Sequence, residues 1–232
     1  MADDYDVVEA SIATLGADMA AGKVTSEALV SAYQARIAAI DWAGPTLRSV
    51  ICLSPRALDD ARALDAERAA GRVRGPLHGV PVLIKDNIDS NDGTATTAGS
   101  LALAANVTGR DAPVVRRLKD AGAVILAKTA MCDFAAGWFS SSSLTDHTKN
   151  PYAPERESGG SSAGTAAGVA ANLGLVGIGE DTGGSIRIPA AYNNLFGLRV
   201  TTGLISRAGF SPLVHFQDTP APVARTVTDL AT

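Results

Sequence analysis

Apolar positions recur every three to four residues through the first part of the chain and give way, beyond Gly75, to short continuous apolar runs. Val8, Ile12, Leu15 and Met19 share one helical face, and Gly22 stops that helix. Thr25 caps a second helix, whose stripe of Leu29, Tyr33, Ile37 and Ile40 runs until Gly44-Pro45. Val50–Leu53 is a short strand candidate, after which Ser54-Pro55 supplies an N-cap and an N1 proline for an alanine-rich helix ending at Gly71. Beyond Gly75, the runs 80–84, 123–127 and 175–178 predict buried strands, and 112–120 and 165–172 predict helices between them. Such alternation predicts an α/β fold: a mixed, largely parallel central sheet flanked by helices. The chain divides into an N-terminal helical segment, residues 1–74, packing on the core, and an α/β core, residues 75–232. Residues 139–162 are rich in Ser, Thr, Asn and Pro, but the same α/β pattern resumes after them, which favours a loop within one unit over a linker between two.

Composition narrows the class. Among 232 residues, 20 Lys+Arg stand against 24 Asp+Glu, a net charge of −4, which argues against a nucleic-acid partner held by a basic face. With 46% apolar and 19% charged residues the chain can bury a substantial core. Cys52 and Cys132 are too few for a disulfide scaffold and form no C-x-x-C pair, which fits a reducing, cytoplasmic setting. The acidic start, Met1–Asp6, is unlike a secretory signal, and no apolar run approaches the ~20 residues that cross a bilayer, so no membrane partner is expected.

Three segments break the local pattern. In Gly79-Val80-Pro81-Val82-Leu83-Ile84-Lys85-Asp86-Asn87 a lysine follows directly on an apolar strand, at the carboxyl end where open α/β sheets place ligands. Lys85 there is either paired with Asp86 or another carboxylate, or desolvated into a neutral amine that can accept a proton. Ser158–Gly164 opens a helix with glycines and serines, which suits a plain turn or a phosphate cradle, although the lysine-bearing P-loop pattern is absent. In Gly179–Arg187, Ser185 is reached through Gly183-Gly184 after a strand, which suits an ordinary glycine loop or a set of backbone N–H groups converging on an oxyanion. A helix of about eleven residues running ~16 Å out from Ser162, and a strand returning as far, bring Ser161 and Ser185 to one sheet edge. His78, His147 and His215 are the only histidines and none sits in a nucleophile elbow, whereas Ser-Lys catalysis needs no histidine.

These residues together resemble the amidase signature family of serine hydrolases. The resemblance rests on Gly79–Asp89, Gly159–Gly164 and Asp181–Arg187 in that order, and extends to Lys128-Thr129, Asp133-Phe134, Gln217-Asp218-Thr219 and Ala224–Val227. It implies hydrolysis of a small-molecule carboxamide to an acid and ammonia or an amine through a Ser-Ser-Lys triad, with no metal or organic cofactor. Ser185 resembles the nucleophile, Ser161 the bridging serine on a cis peptide bond, and Lys85 the base. The N–H groups of Thr182, Gly183, Gly184 and Ser185 resemble the oxyanion hole, Ser162 supports the relay, and Asp181 and Arg187 form a structural pair. Ala163, Glu180 and Ala221 depart from the family's usual residues, and Ile188 stands where the glutaminase component of tRNA-dependent amidotransferases usually has Gln. That glutaminase component is the alternative enzyme reading. Because family chains usually run to twice this length, the chain is expected to be an amino-terminal half, truncated at the sheet's carboxyl part. Its open strand edges would favour pairing, as a homodimer or with the missing C-terminal half, and an inactive interaction module is the non-enzyme alternative.

Overall fold

The computed structural model describes residues 5–232; Met1–Asp4, most of the acidic start, lie outside them. Three helices come first: α1 (Ile12–Ala20), α2 (Ser26–Arg36) and α3 (Ala57–Ala69). A reciprocal cap starts α1, with Ser11 Oγ accepting from Thr14 N–H and Thr14 Oγ1 from Ser11 N–H, both at 3.0 Å. Val8 precedes that helix and is exposed, so it leaves the expected stripe. Thr25 caps α2, accepting from Ala28 N–H at 3.1 Å. The stripe then continues as a π-helical turn, Ile37–Asp41. Asp41 aims its buried carboxylate at the N–H groups of Ser49 (2.8 Å) and Val50 (3.0 Å), where strand β1 (Val50–Leu53) begins. Ser54-Pro55 leads into α3 through a turn, with Ser54 Oγ accepting from Arg56 N–H at 3.3 Å and the Ser54 carbonyl from Ala57 N–H at 3.2 Å, and the regular helix begins at Ala57.

The remaining elements are strands β2 (Pro81–Lys85), β3 (Val124–Thr129), β4 (Ser141–Ser142), β5 (Asp146–His147), β6 (Val176–Glu180), β7 (Phe196–Gly197) and β8 (Pro220–Ala224), with helices α4 (Pro113–Asp120), α5 (Ala163–Ala170), α6 (Arg187–Tyr192) and α7 (Val227–Ala231). Six strands form one sheet in the order β1-β3-β2-β6-β8-β7, and β4 pairs with β5 separately. The centre, β3-β2-β6, is parallel, while β1, β8 and β7 run antiparallel to their neighbours. Every residue of β2, β3 and β6 is buried, which is why they read as continuous apolar runs rather than alternating ones. The predicted α/β fold with a mixed sheet, parallel at its centre, is the observed one.

One hydrophobic cluster joins Leu15, Leu29 and Leu64 of the helices to Leu83, Ile125 and Val176 of the sheet. β1 falls within residues 1–74 yet belongs to the main sheet, so Gly75 separates stretches of chain that share a core. The polar tract 139–162 is fastened rather than free, with Lys149 N–H donating to Leu47 O at 2.9 Å and Thr148 Oγ1 to Arg48 O at 2.8 Å. Among the described residues no helix is long and apolar enough to cross a membrane.

Close approach of α5 to the sheet depends on Gly164. A Cβ there would sit 2.2 Å from the Ser49 carbonyl oxygen and 2.4 Å from Ala130 N, both backbone atoms that cannot swing aside. Gly164→Ala is expected to destabilise the protein by about 3 kcal/mol through this overpacking, read as a lower urea midpoint with an unchanged slope.

Candidate active site

Lys85 ends β2, and the register pairing Ile84 with Ile178 sets it level with the carboxyl end of β6. Its side chain is wholly buried, and Nζ donates to Ser161 Oγ at 2.8 Å and to the Glu180 carbonyl at 3.3 Å. Desolvation lowers the Lys85 pKa, with Glu180, Cys132, Asp181 and Asp218 opposing. Asp86 is not its partner. That carboxylate accepts instead from Thr97 Oγ1 and from the N–H groups of Thr97 (3.2 Å) and Gly99 (3.1 Å).

Ser161 is buried and follows a cis peptide bond from Gly160, as the resemblance implied. Gly160 admits the Phe139 carbonyl, whose oxygen would lie 2.1 Å from any Cβ there. Next to it, Ser162 fastens the start of α5 to the end of β6. Its Oγ donates to Glu180 O at 3.2 Å and accepts from Glu180 N–H at 3.4 Å, while its N–H donates to Ser185 O at 3.2 Å. The out-and-back path of α5 and β6 thus returns the Ser185 turn to the Ser161 segment, the meeting that their spacing predicts.

Asp181 shapes that turn from beneath. It accepts from the N–H groups of Gly184 (2.7 Å), Ile186 (3.1 Å) and Arg187 (3.3 Å), takes the Arg187 guanidinium at 3.1 Å on each oxygen, and lies 3.4 Å from Arg199 Nε. Burial alone would raise its pKa, but the Arg187 guanidinium and these N–H donors hold the carboxyl below the usual carboxylate range. Gly184 takes φ +137°, a conformation that side chains resist, and any Cβ there would meet Ile188 Cδ1 at 2.6 Å. The Gly184 N–H, one of the four groups named from the resemblance as oxyanion donors, points at Asp181 instead. Among the described residues the N–H groups of Thr182, Gly183 and Ser185 meet no protein acceptor. Thr182 Oγ1 donates to Asp218 at 2.6 Å, which pins the first of them.

Two features were not assigned from sequence. Glu180 stood out only as a departure, yet it is fully buried with Oε2 3.8 Å from Lys85 Nζ, accepts from Asn87 Nδ2, and has its pKa pushed up to about 7, chiefly by burial. A carboxylate closing the apolar run Val176-Gly177-Ile178-Gly179 was the available signal. Phe139 fell at the start of the polar tract and Trp138 just before it, although Trp138 Nε1 lies 3.8 Å from where a Gly184 side chain would begin, and both aromatics are exposed. His78 pairs with the Leu64 carbonyl and His147 with Ser140, and neither is hydrogen-bonded to the lysine or the two serines. Among the described residues, no cluster of His, Cys, Asp and Glu is placed to hold a metal ion.

Comparison with known proteins gives this arrangement a context. The chain matches the Amidase family over residues 28–232. It is similar to the X-ray structure of native peptide amidase from Stenotrophomonas maltophilia, with 48% identity and a TM-score of 0.95, covering 98% of this chain and 47% of that one. It is 43% identical to a glutamyl-tRNA(Gln) amidotransferase component from Thermobifida fusca (97% of this chain, 45% of the relative) and 40% identical to a probable amidase of Arabidopsis thaliana (99% and 46%). The chain therefore spans about half the length of these relatives. A family match over residues 28–232, joined to a backbone path shared at 48% identity, leads to one conclusion: the chain belongs to the amidase signature family.

Proposed function

We propose that this chain carries the catalytic residues of an amide hydrolase that converts a small carboxamide to a carboxylic acid and ammonia or an amine. The observation that carries this reading is the 2.8 Å contact between Lys85 Nζ and Ser161 Oγ, fully buried and bonded through Ser162 to the Ser185 turn. Burial favours the neutral amine, which accepts a proton that a charged lysine cannot. In the forward step the Ser185 hydroxyl passes its proton to Ser161, Ser161 passes its own to Lys85, and Ser185 Oγ bonds to the amide carbon. The developing oxyanion is met by the N–H groups of Thr182, Gly183 and Ser185. Lys85 then returns the proton through Ser161 to the leaving nitrogen, the C–N bond breaks, and water releases the acid from the acyl-enzyme by the same relay in reverse. The balance of protons closes without a metal or organic cofactor.

A second reading is the glutaminase component of a tRNA-dependent amidotransferase, supported by the 43% identity to the relative from Thermobifida fusca. Ile188, where that component usually carries Gln, weighs against it. A fluorophosphonate probe is expected to label Ser185, located by peptide mass spectrometry, and primary carboxamides to release ammonia without added partners. Ammonia from glutamine only in the presence of partner proteins would transfer the assignment to the second reading. A folded protein that labels nowhere would remove both.

A further inference from the structure

Strand β6 is apolar until its last residue, where Glu180 places an ionisable group in the interior. Its Oε2 has two neighbours of consequence, the Asn87 amide that donates to it and Lys85 Nζ at 3.8 Å. Oε1 is buried and meets no protein donor among the described residues, so the groups that favour the charged carboxylate are Lys85 and Asn87, while Asp218 opposes it. Meanwhile Ser161 Oγ holds Nζ at 2.8 Å and the Glu180 carbonyl holds it at 3.3 Å. We infer that Glu180 is a positioning residue for the relay: its carboxylate stands behind Lys85, orients Nζ toward Ser161 and stabilises the ammonium that forms when the proton arrives. This rests on the reading of Lys85 as the base. The role parallels that of the buried aspartate in a Ser-His-Asp site, which orients the base and stabilises its protonated form without taking the proton itself.

The surrounding charges agree with this assignment. Lys85 is faced by Glu180 and Asp181 from the end of β6, by Asp218 from the segment before β8, and by Cys132 from the segment after β3, with burial lowering its proton affinity against all four. Glu180 is faced by Lys85 and Asn87 from the end of β2, which favour its charged form, and by Asp218, which disfavours it. Glu180 is the only carboxylate within 4.0 Å of Nζ among the described residues. An uncharged residue at 180 would leave the ammonium with burial unopposed at short range, so Lys85 would shed its proton at lower pH and be a weaker base.

The test is the pH dependence of Ser185 labelling by a fluorophosphonate, measured on the protein as its gene encodes it. In the wild type the rate is expected to rise with pH along a limb that Lys85→Ala abolishes. Glu180→Gln, which keeps shape and removes charge, should move that limb down by about one pH unit or more and lower the plateau, while Glu180→Asp should return the limb toward its original place. A purely structural Glu180 would lower the plateau and leave the limb where it was, and that result overturns the inference. Absence of any Lys85-dependent limb in the wild type overturns the reading of Lys85 as base instead, and this inference with it. If Glu180→Gln does not fold, Asn87→Ser serves: it withdraws the donor that favours the carboxylate, so the limb should again move down, and an unmoved limb counts equally against the inference.

Discussion

Ser185→Ala is expected to lower amide turnover by about a million-fold and to abolish probe labelling, because the variant has no oxygen with which to form the acyl bond. Lys85→Ala should fall short of that, at about 10²- to 10⁴-fold, the usual contribution of a positioned base, since Ser185 and the free N–H groups of the turn persist. Both variants are expected to fold. Deleting Lys85 removes the cation nearest Glu180, yet Glu180, with its pKa pushed up to about 7, can take a proton rather than remain a lone buried charge. Matched unfolding curves with divergent turnover separate loss of chemistry from loss of structure. Wild-type turnover in either variant would end the proposed roles.

Asp181→Asn should produce the largest loss of stability at the site, about 3 kcal/mol, together with a fall in kcat. Whichever way the new amide turns, its NH2 replaces an acceptor for backbone N–H groups, facing either Gly184 or Ile186 and Arg187, and it loses the charge that holds Arg187 and Arg199. The pH dependence has a definite sign. The folded pKa of Asp181 lies below its unfolded value of about 3.9, so its contribution is complete above that value and disappears as pH falls through the folded one. The gap between wild type and Asp181→Asn in urea midpoint should stay level from about pH 5 to 8 and close below about pH 4. A gap that widens in acid would refute this account of the turn.

Particular elements show how far local chemistry carries. The cap of α2 and the buried runs of β2, β3 and β6 follow from side-chain pattern, because capping and burial of a whole strand leave marks on neighbouring residues. Ser54-Pro55 leads into α3 as its residue types suggest, with Ser54 Oγ accepting from Arg56 N–H at 3.3 Å, whereas the meeting of Ser54 N–H with Leu126 O of β3 at 2.8 Å leaves no local mark. The antiparallel outer strands carry no local mark, since direction comes from the path of the connecting chain. At the site, Lys85 stood out as a charge closing an apolar strand, and Ser161 and Ser185 as serines beside glycines. The Gly184 N–H points at Asp181 instead, because a backbone donor's partner depends on where that carboxylate aims.

By itself, then, the order of residues determined which segments bury themselves, where the chain must turn, and which hydroxyls and amine stand at segment ends, since each of these depends on interactions within a few positions. Folding in three dimensions decided what meets what: Lys85 with Glu180 across 95 positions, and Asp181 with the N–H that sequence had offered to a substrate. Proton affinity belongs to this second group, because it depends on how much water the packed strands exclude and which charges remain within reach.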